Sequence, residues 1–169
     1  MLLTVALALF AGSANAAWVG DAMDLMGTRV SVELWADDEA RGRELVADVM
    51  NEYRRIDNLM STYKPESEIS RVNDHAAEAP VPVSEELYSI VQRSLELSVA
   101  SGGAFDITYD SVGYLYDFRA RVHPTDEQIA ERLAAVDYRH VVLDPAKRTI
   151  AFKVPGVRIN LCGIAKGYV

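Results

Sequence analysis

One cysteine, Cys162, serves the whole 169-residue chain. No internal disulfide can form, so an exported form of this protein holds together by its core alone. Zinc-type spacing is absent as well: His75, His123 and His140 are scattered. Basic charge is scarce. Lys and Arg number 17 against 25 Asp and Glu, which gives a net charge of −8 and a pI near 4.9. That balance argues against nucleic acid as a partner, because phosphate-backbone binding needs basic patches. The surplus acid is spread along the chain, and solubility is its simplest meaning. Walker and dinucleotide-type glycine loops are missing. Internal repeats and low-complexity segments are missing too.

What is present begins with an uncharged N-terminus. Met1 to Phe10 is apolar, and Ala11-Gly12-Ser13-Ala14-Asn15-Ala16-Ala17 follows. This reads as a signal peptide over residues 1–16, with Ala14-Asn15-Ala16 as the cleavage site. No Lys or Arg precedes the apolar run, which departs from the usual pattern. A spanning helix needs about 20 apolar residues, more than this run offers. The alternative is a buried N-terminal helix. Export of a bacterial chain places it in the periplasm. No cysteine stands at the cleavage site to carry a lipid anchor.

Beyond the signal, Val30, Val32 and Leu34 alternate with polar residues, which predicts a half-buried strand over 29–35. Asp37-Asp38 offers an N-cap for a helix over 39–60, whose apolar stripe includes Val46, Met50, Tyr53, Ile56 and Met60. Residues 61–67 read as a loop, and a short polar helical turn follows over 67–73. A connector with two prolines spans 76–82. Ser84 caps a helix that ends at Ser101-Gly102-Gly103. Asp106 then sits among apolar residues, at a buried strand start or a tight turn. Thr125 and Gln128 form a capping box for a helix over 126–136. Residues 138–154 read as a hairpin with a longer loop. After Pro155-Gly156 a last strand is predicted over 157–161, and at Gly163 it turns into a helix. The chain stops inside that helix, with no cap, proline or polar tail. The fold class expected is α+β: a mixed sheet with packed helices, incomplete at the C-terminus.

Four spots carry chemistry, each with a plainer reading. Met26-Gly27-Thr28 puts glycine and a hydroxyl at a strand entrance, or is simply a turn. Tyr63 has an aromatic face for a planar ligand, or anchors its loop. Gly103-Ala104-Phe105-Asp106 permits close backbone approach and offers a carboxylate, or Asp106 caps the next turn. Gly163 to Gly167, with Lys166, suits a phosphate, or is a glycine-tolerant helix entry. Cys162 reads as a small buried hydrophobe. A planar aromatic ligand carrying phosphates would use all four spots.

These blocks resemble the ApbE family, the FAD:protein FMN transferases. The matching residues are Met26-Gly27-Thr28; Met60-Ser61-Thr62-Tyr63 with Ser67-Glu68-Ile69 and Asn73; Gly103 to Thr108; and Asn160 to Tyr168. They occur in the family's order. The resemblance implies that residues 17–169 are the N-terminal portion of a flavin transferase domain. It implies a transferase that uses FAD as substrate, needs Mg²⁺, and leaves FMN on a threonine hydroxyl of its target with release of AMP. The acceptor would be a subunit of a membrane redox complex, and the enzyme would be exported to the periplasm, with the inner membrane as a place of association. Met26, Tyr63, Ala104, Phe105, Asp106, Asn160 and Lys166 would contact FAD, and Gly163 would offer its carbonyl to the metal. Asn160 stands where the family commonly has an aspartate. It keeps the hydrogen-bonding amide and loses the charge. One carbonyl cannot hold Mg²⁺, which takes six oxygens, and this stretch alone is expected to be inactive. Catalytic residues are not identified. Other readings are an exported FAD binder without transfer activity and a Mg²⁺-dependent FAD pyrophosphatase.

Overall fold

A computed structural model describes residues 16–25, 27–117 and 120–169. Met26 and nearly all of the predicted signal peptide lie outside the described residues. The chain divides into two compact units, the first ending at Glu52 and the second spanning Tyr53–Val169. The helix α1 (Glu39–Met60) runs through that boundary.

In the first unit, β1 (Ala17–Leu25) pairs antiparallel with β2 (Thr28–Ala36), in a register that sets Leu25 opposite Thr28. Gly27, just before Thr28, takes φ +72°. Tight hairpin turns need positive φ, which glycine supplies without strain. Trp18 and Trp35 are cross-strand partners whose rings meet edge to face at 5.7 Å. The sequence pattern indicated β2 but not β1, because Gly20, Asp21 and Asp24 interrupt β1's alternation. Asp38 caps α1, accepting from the backbone N–H of Ala40 at 2.8 Å and of Arg41 at 3.1 Å.

Gly42 is where α1 meets this hairpin. A Cβ added there would lie 2.6 Å from both Ala36 Cβ and Val19 Cγ2. Alanine normally improves a helix by about 1 kcal/mol over glycine. Here overpacking of about 1–3 kcal/mol opposes that gain. Gly42→Ala should therefore lower stability by about 1 kcal/mol in a urea titration. A more stable variant would show that the approach is not tight.

The second unit is built on capped helices around a small sheet. Ser67 caps α2 (Glu68–His75) and also donates to the Ser61 carbonyl at 2.8 Å, which folds the 61–67 loop back on itself. Ser84 caps α3 (Glu85–Ala100), which buries Leu87, Ile90 and Val91. Gly102 and Gly103 end it with φ of +63° and +86°. The Thr125–Gln128 capping box starts α5 (Asp126–Leu133), which stops short of the predicted Val136. β3 (Val81–Pro82), β5 (Thr149–Phe152) and β4 (Val141–Asp144) form an antiparallel sheet in the order β3-β5-β4. The architecture is α+β, as expected, and the described strands pair antiparallel throughout. No helix among the described residues is long and apolar enough to cross a membrane.

One predicted strand takes another form, and the choice left open at Asp106 falls to the tight turn. Residues 107–109 make a 3-10 turn that leads into α4 (Asp110–Gly113). The segment 157–161 has no sheet partner, although Val157, Ile159 and Leu161 alternate inward and are buried. Its backbone is held by side chains and by one carbonyl. Asn73 donates Nδ2–H to the Ile159 carbonyl at 3.0 Å and accepts the Ile159 N–H at 2.8 Å. Ser111 Oγ accepts the Arg158 N–H at 3.0 Å, and the Ile107 carbonyl accepts the Asn160 N–H at 2.9 Å. This splint delivers the chain into α6 (Cys162–Tyr168).

Candidate flavin site

The splinted segment brings together residues far apart in sequence. Asn160 Nδ2 lies 3.1 Å from Asp110 Oδ1 and 3.3 Å from the hydroxyl of Thr62, the neighbour of Tyr63. Asn160 Oδ1 accepts the Cys162 N–H at 2.9 Å, satisfying one of the free donors at the start of α6. One residue later, Gly163 packs against Phe105. A Cβ at 163 would sit 3.3 Å from Phe105 Cε2. Tyr109 and Cys162 link the same elements, with hydroxyl and thiol 2.9 Å apart. Tyr63, next to Thr62 in the same loop, is 85% exposed.

Tyr63, Phe105, Asn160 and Gly163 are thus joined through Thr62, Tyr109 and Cys162. Lys166 is exposed, one turn further along α6. Ala104 adjoins Phe105 and is exposed. Asp106 is placed differently. Its Oδ1 accepts from the backbone and hydroxyl of Thr108 at 2.8 and 2.6 Å, and its Oδ2 accepts the Tyr138 N–H at 2.8 Å. Oδ1 caps the turn, as the capping alternative has it, Oδ2 ties the turn to Tyr138, and the carboxylate has only spare lone pairs for a ligand. Cys162, expected to be buried, is exposed on the first turn of α6.

Charge in the cluster is governed by burial. Burial pushes the Tyr109 hydroxyl well above its ordinary pKa, and the Cys162 contact adds to the effect. Burial also raises the pKa of Asp110, against the opposing pull of Asn160 and Arg158. Asp110 went unnoticed in sequence because it sits in an aromatic-rich stretch without periodicity. A lone carboxylate between Tyr109 and Tyr114 was the available signal. Among the described residues no three His, Cys, Asp or Glu side chains gather as a metal site. No such cluster joins Gly163's carbonyl among the described residues, and Mg²⁺ takes six oxygens. A separate groove of about 510 Å³ lies between α3 and α6, lined by Ile90, Arg93 and Leu97 on one side and by Ile164, Gly167 and Tyr168 on the other. It touches the cluster only through Gly163.

The family model described as the ApbE family matches residues 26–169. This chain belongs to the ApbE family. A relative from Haemophilus influenzae named FAD:protein FMN transferase is 34% identical over 120 residues, covering 67% of this chain and 35% of that protein. Among solved structures, the ApbE protein of Thermotoga maritima superposes with a TM-score of 0.80 at 26% identity, covering 90% of this chain and 50% of that one. The flavin transferase ApbE from Vibrio cholerae superposes with a TM-score of 0.78 at 28% identity, with the same coverage. The ApbE chain described here spans less than half the length of the first curated relatives it matches, between 35% and 45%.

Proposed function

We propose that the whole protein is an exported, periplasmic FAD:protein FMN transferase, and that this chain supplies the flavin-holding part of its site. The observation that carries the reading is the meeting of the Tyr63 loop, Phe105, Asn160 and Gly163 at one place in a chain of the ApbE family. In the reaction the threonine hydroxyl of an acceptor subunit attacks the FMN-side phosphorus of FAD. The pyrophosphate P–O bond breaks, AMP leaves, and the hydroxyl proton is released. Such transfer asks for positioning and charge neutralisation more than for a protein nucleophile. Tyr63 offers a face for the flavin ring. Phe105 and the bare Cα of Gly163 shape the approach. Lys166, exposed on α6, offers a positive charge to the phosphates. Mg²⁺ would neutralise pyrophosphate charge. Among the described residues no cluster of three His, Cys, Asp or Glu side chains is present to hold it. The acceptor would be a protein of a membrane redox complex, which places the enzyme near the inner membrane and away from nucleic acid.

The test incubates the whole protein with FAD, Mg²⁺ and a threonine-bearing acceptor domain. Covalent flavin fluorescence on the acceptor, with AMP released, is the expected result. AMP and free FMN without labelling would make it a pyrophosphatase, and intact bound FAD without either product would make it a binder. Tyr63→Ala should weaken FAD binding about tenfold, since losing a stacking face costs on the order of 1–1.5 kcal/mol. Unchanged affinity by titration would remove Tyr63 from the site.

A further inference from the structure

Asp110 is the residue on which these connections converge. It is almost wholly buried, at 4% exposure, and its Oδ1 accepts from Asn160 Nδ2 at 3.1 Å. An ionised carboxylate only accepts, so it dictates which end of the facing amide turns toward it. The Asn160 oxygen is thereby left to take the Cys162 N–H at 2.9 Å. Asp110 Oδ2 and Arg158 Nε face each other at 3.7 Å, and both are buried without a hydrogen-bond partner. Ionisable groups near the pair include Tyr109, Tyr114, and Asp74 at 4.0 Å from the Arg158 guanidinium. That guanidinium also lies over the Tyr114 ring at 4.9 Å. A buried, incompletely paired carboxylate is costly to keep.

We propose that Asp110 is a positioning residue of the flavin site: it fixes the orientation of the Asn160 amide and supplies the negative charge where Thr62, Asn160 and the start of α6 meet. This deepens the flavin reading above and rests on it. Asparagine at 110 accepts as well as donates, so it no longer dictates the Asn160 orientation. Aspartate at 160 instead sets a second carboxylate against the first, where like charges cannot both ionise cheaply.

The experiment titrates FAD into the whole protein by flavin fluorescence, well below the melting temperature, and records melting curves alongside. Asp110→Asn should weaken binding about tenfold, the loss of a charge-assisted bond. Asn160→Asp should weaken it about thirtyfold through the paired carboxylates. The double exchange, D110N with N160D, restores one charge and one amide and should bind within about threefold of the original. Stability should move differently. The raised pKa of Asp110 means that the fold disfavours its ionised form. That cost is absent below the unfolded-state pKa and is complete once pH has passed the raised folded value. At neutral pH Asp110→Asn should therefore melt no lower than the original. Unchanged FAD affinity in Asp110→Asn overturns the proposal. So does a loss of binding that merely follows a fall in melting temperature, or a folded double exchange that recovers nothing. Failure of the unaltered protein to bind FAD overturns the flavin reading and this proposal with it.

Discussion

Asn73→Leu should lower the unfolding free energy by about 3 kcal/mol, the largest stability loss expected for a polar residue in this chain. The side chain is buried, and its amide does what a neighbouring strand would do. It gives one hydrogen bond to the Ile159 carbonyl and takes one from the Ile159 N–H, at 3.0 and 2.8 Å. Leucine is close in size, so little cavity is left. What is lost is the partner of two buried backbone groups, each costing about 1–3 kcal/mol when left unmade. Urea unfolding of the purified chain measures it, with the slope unchanged if the transition stays two-state. A loss under about 1 kcal/mol would mean that Ile159 finds other partners and that the splint is weaker than its geometry suggests.

The same splint explains what the sequence could and could not reveal. Capping signals were legible because they are local: Asp38, Ser84 and the Thr125–Gln128 box all act within one turn. The strand predicted over 157–161 put its apolar residues correctly inside, since Val157, Ile159 and Leu161 are buried in alternation. Alternation does not say what lies alongside, and here Asn73, Ser111 and the Ile107 carbonyl stand where a strand was expected. At residues 107–109 the strand start and the tight turn both stayed open for a related reason. Asp106 caps a tight turn there, and its signal is the same whether a strand or a turn follows.

The candidate site divides along the same line. Tyr63, Phe105, Asn160 and Gly163 were recognisable as motif residues, and the structure gives them common connections. Asp110 and Arg158 were not, because their meaning depends on a contact across about fifty residues of sequence. Asn160 itself becomes intelligible through that contact. Where the family resemblance leads one to expect an aspartate, a buried carboxylate already faces the position, and an amide is the side chain that pairs with it.

Gly163→Leu should slow FMN transfer by the whole protein about a hundredfold, because an ångström of misplacement near reacting groups costs that much. The argument rests on the space glycine leaves. A Cβ at 163 would already stand 3.3 Å from Phe105 Cε2, tight enough that the ring must give slightly. Alanine there asks for a few tenths of an ångström and should cost only a few-fold in rate. Leucine adds branched carbons beyond that Cβ, and these would drive the Phe105 ring out of its place beside α6. Folding does not suffer in step. Gly163 is exposed, and leucine favours the helix by up to about 1 kcal/mol over glycine. A lowered rate with an undiminished melting temperature would therefore place the loss in the site and not in the fold. Normal labelling of the acceptor by Gly163→Leu would show that Phe105 and the head of α6 have room to spare, and that neither shapes the path of the flavin.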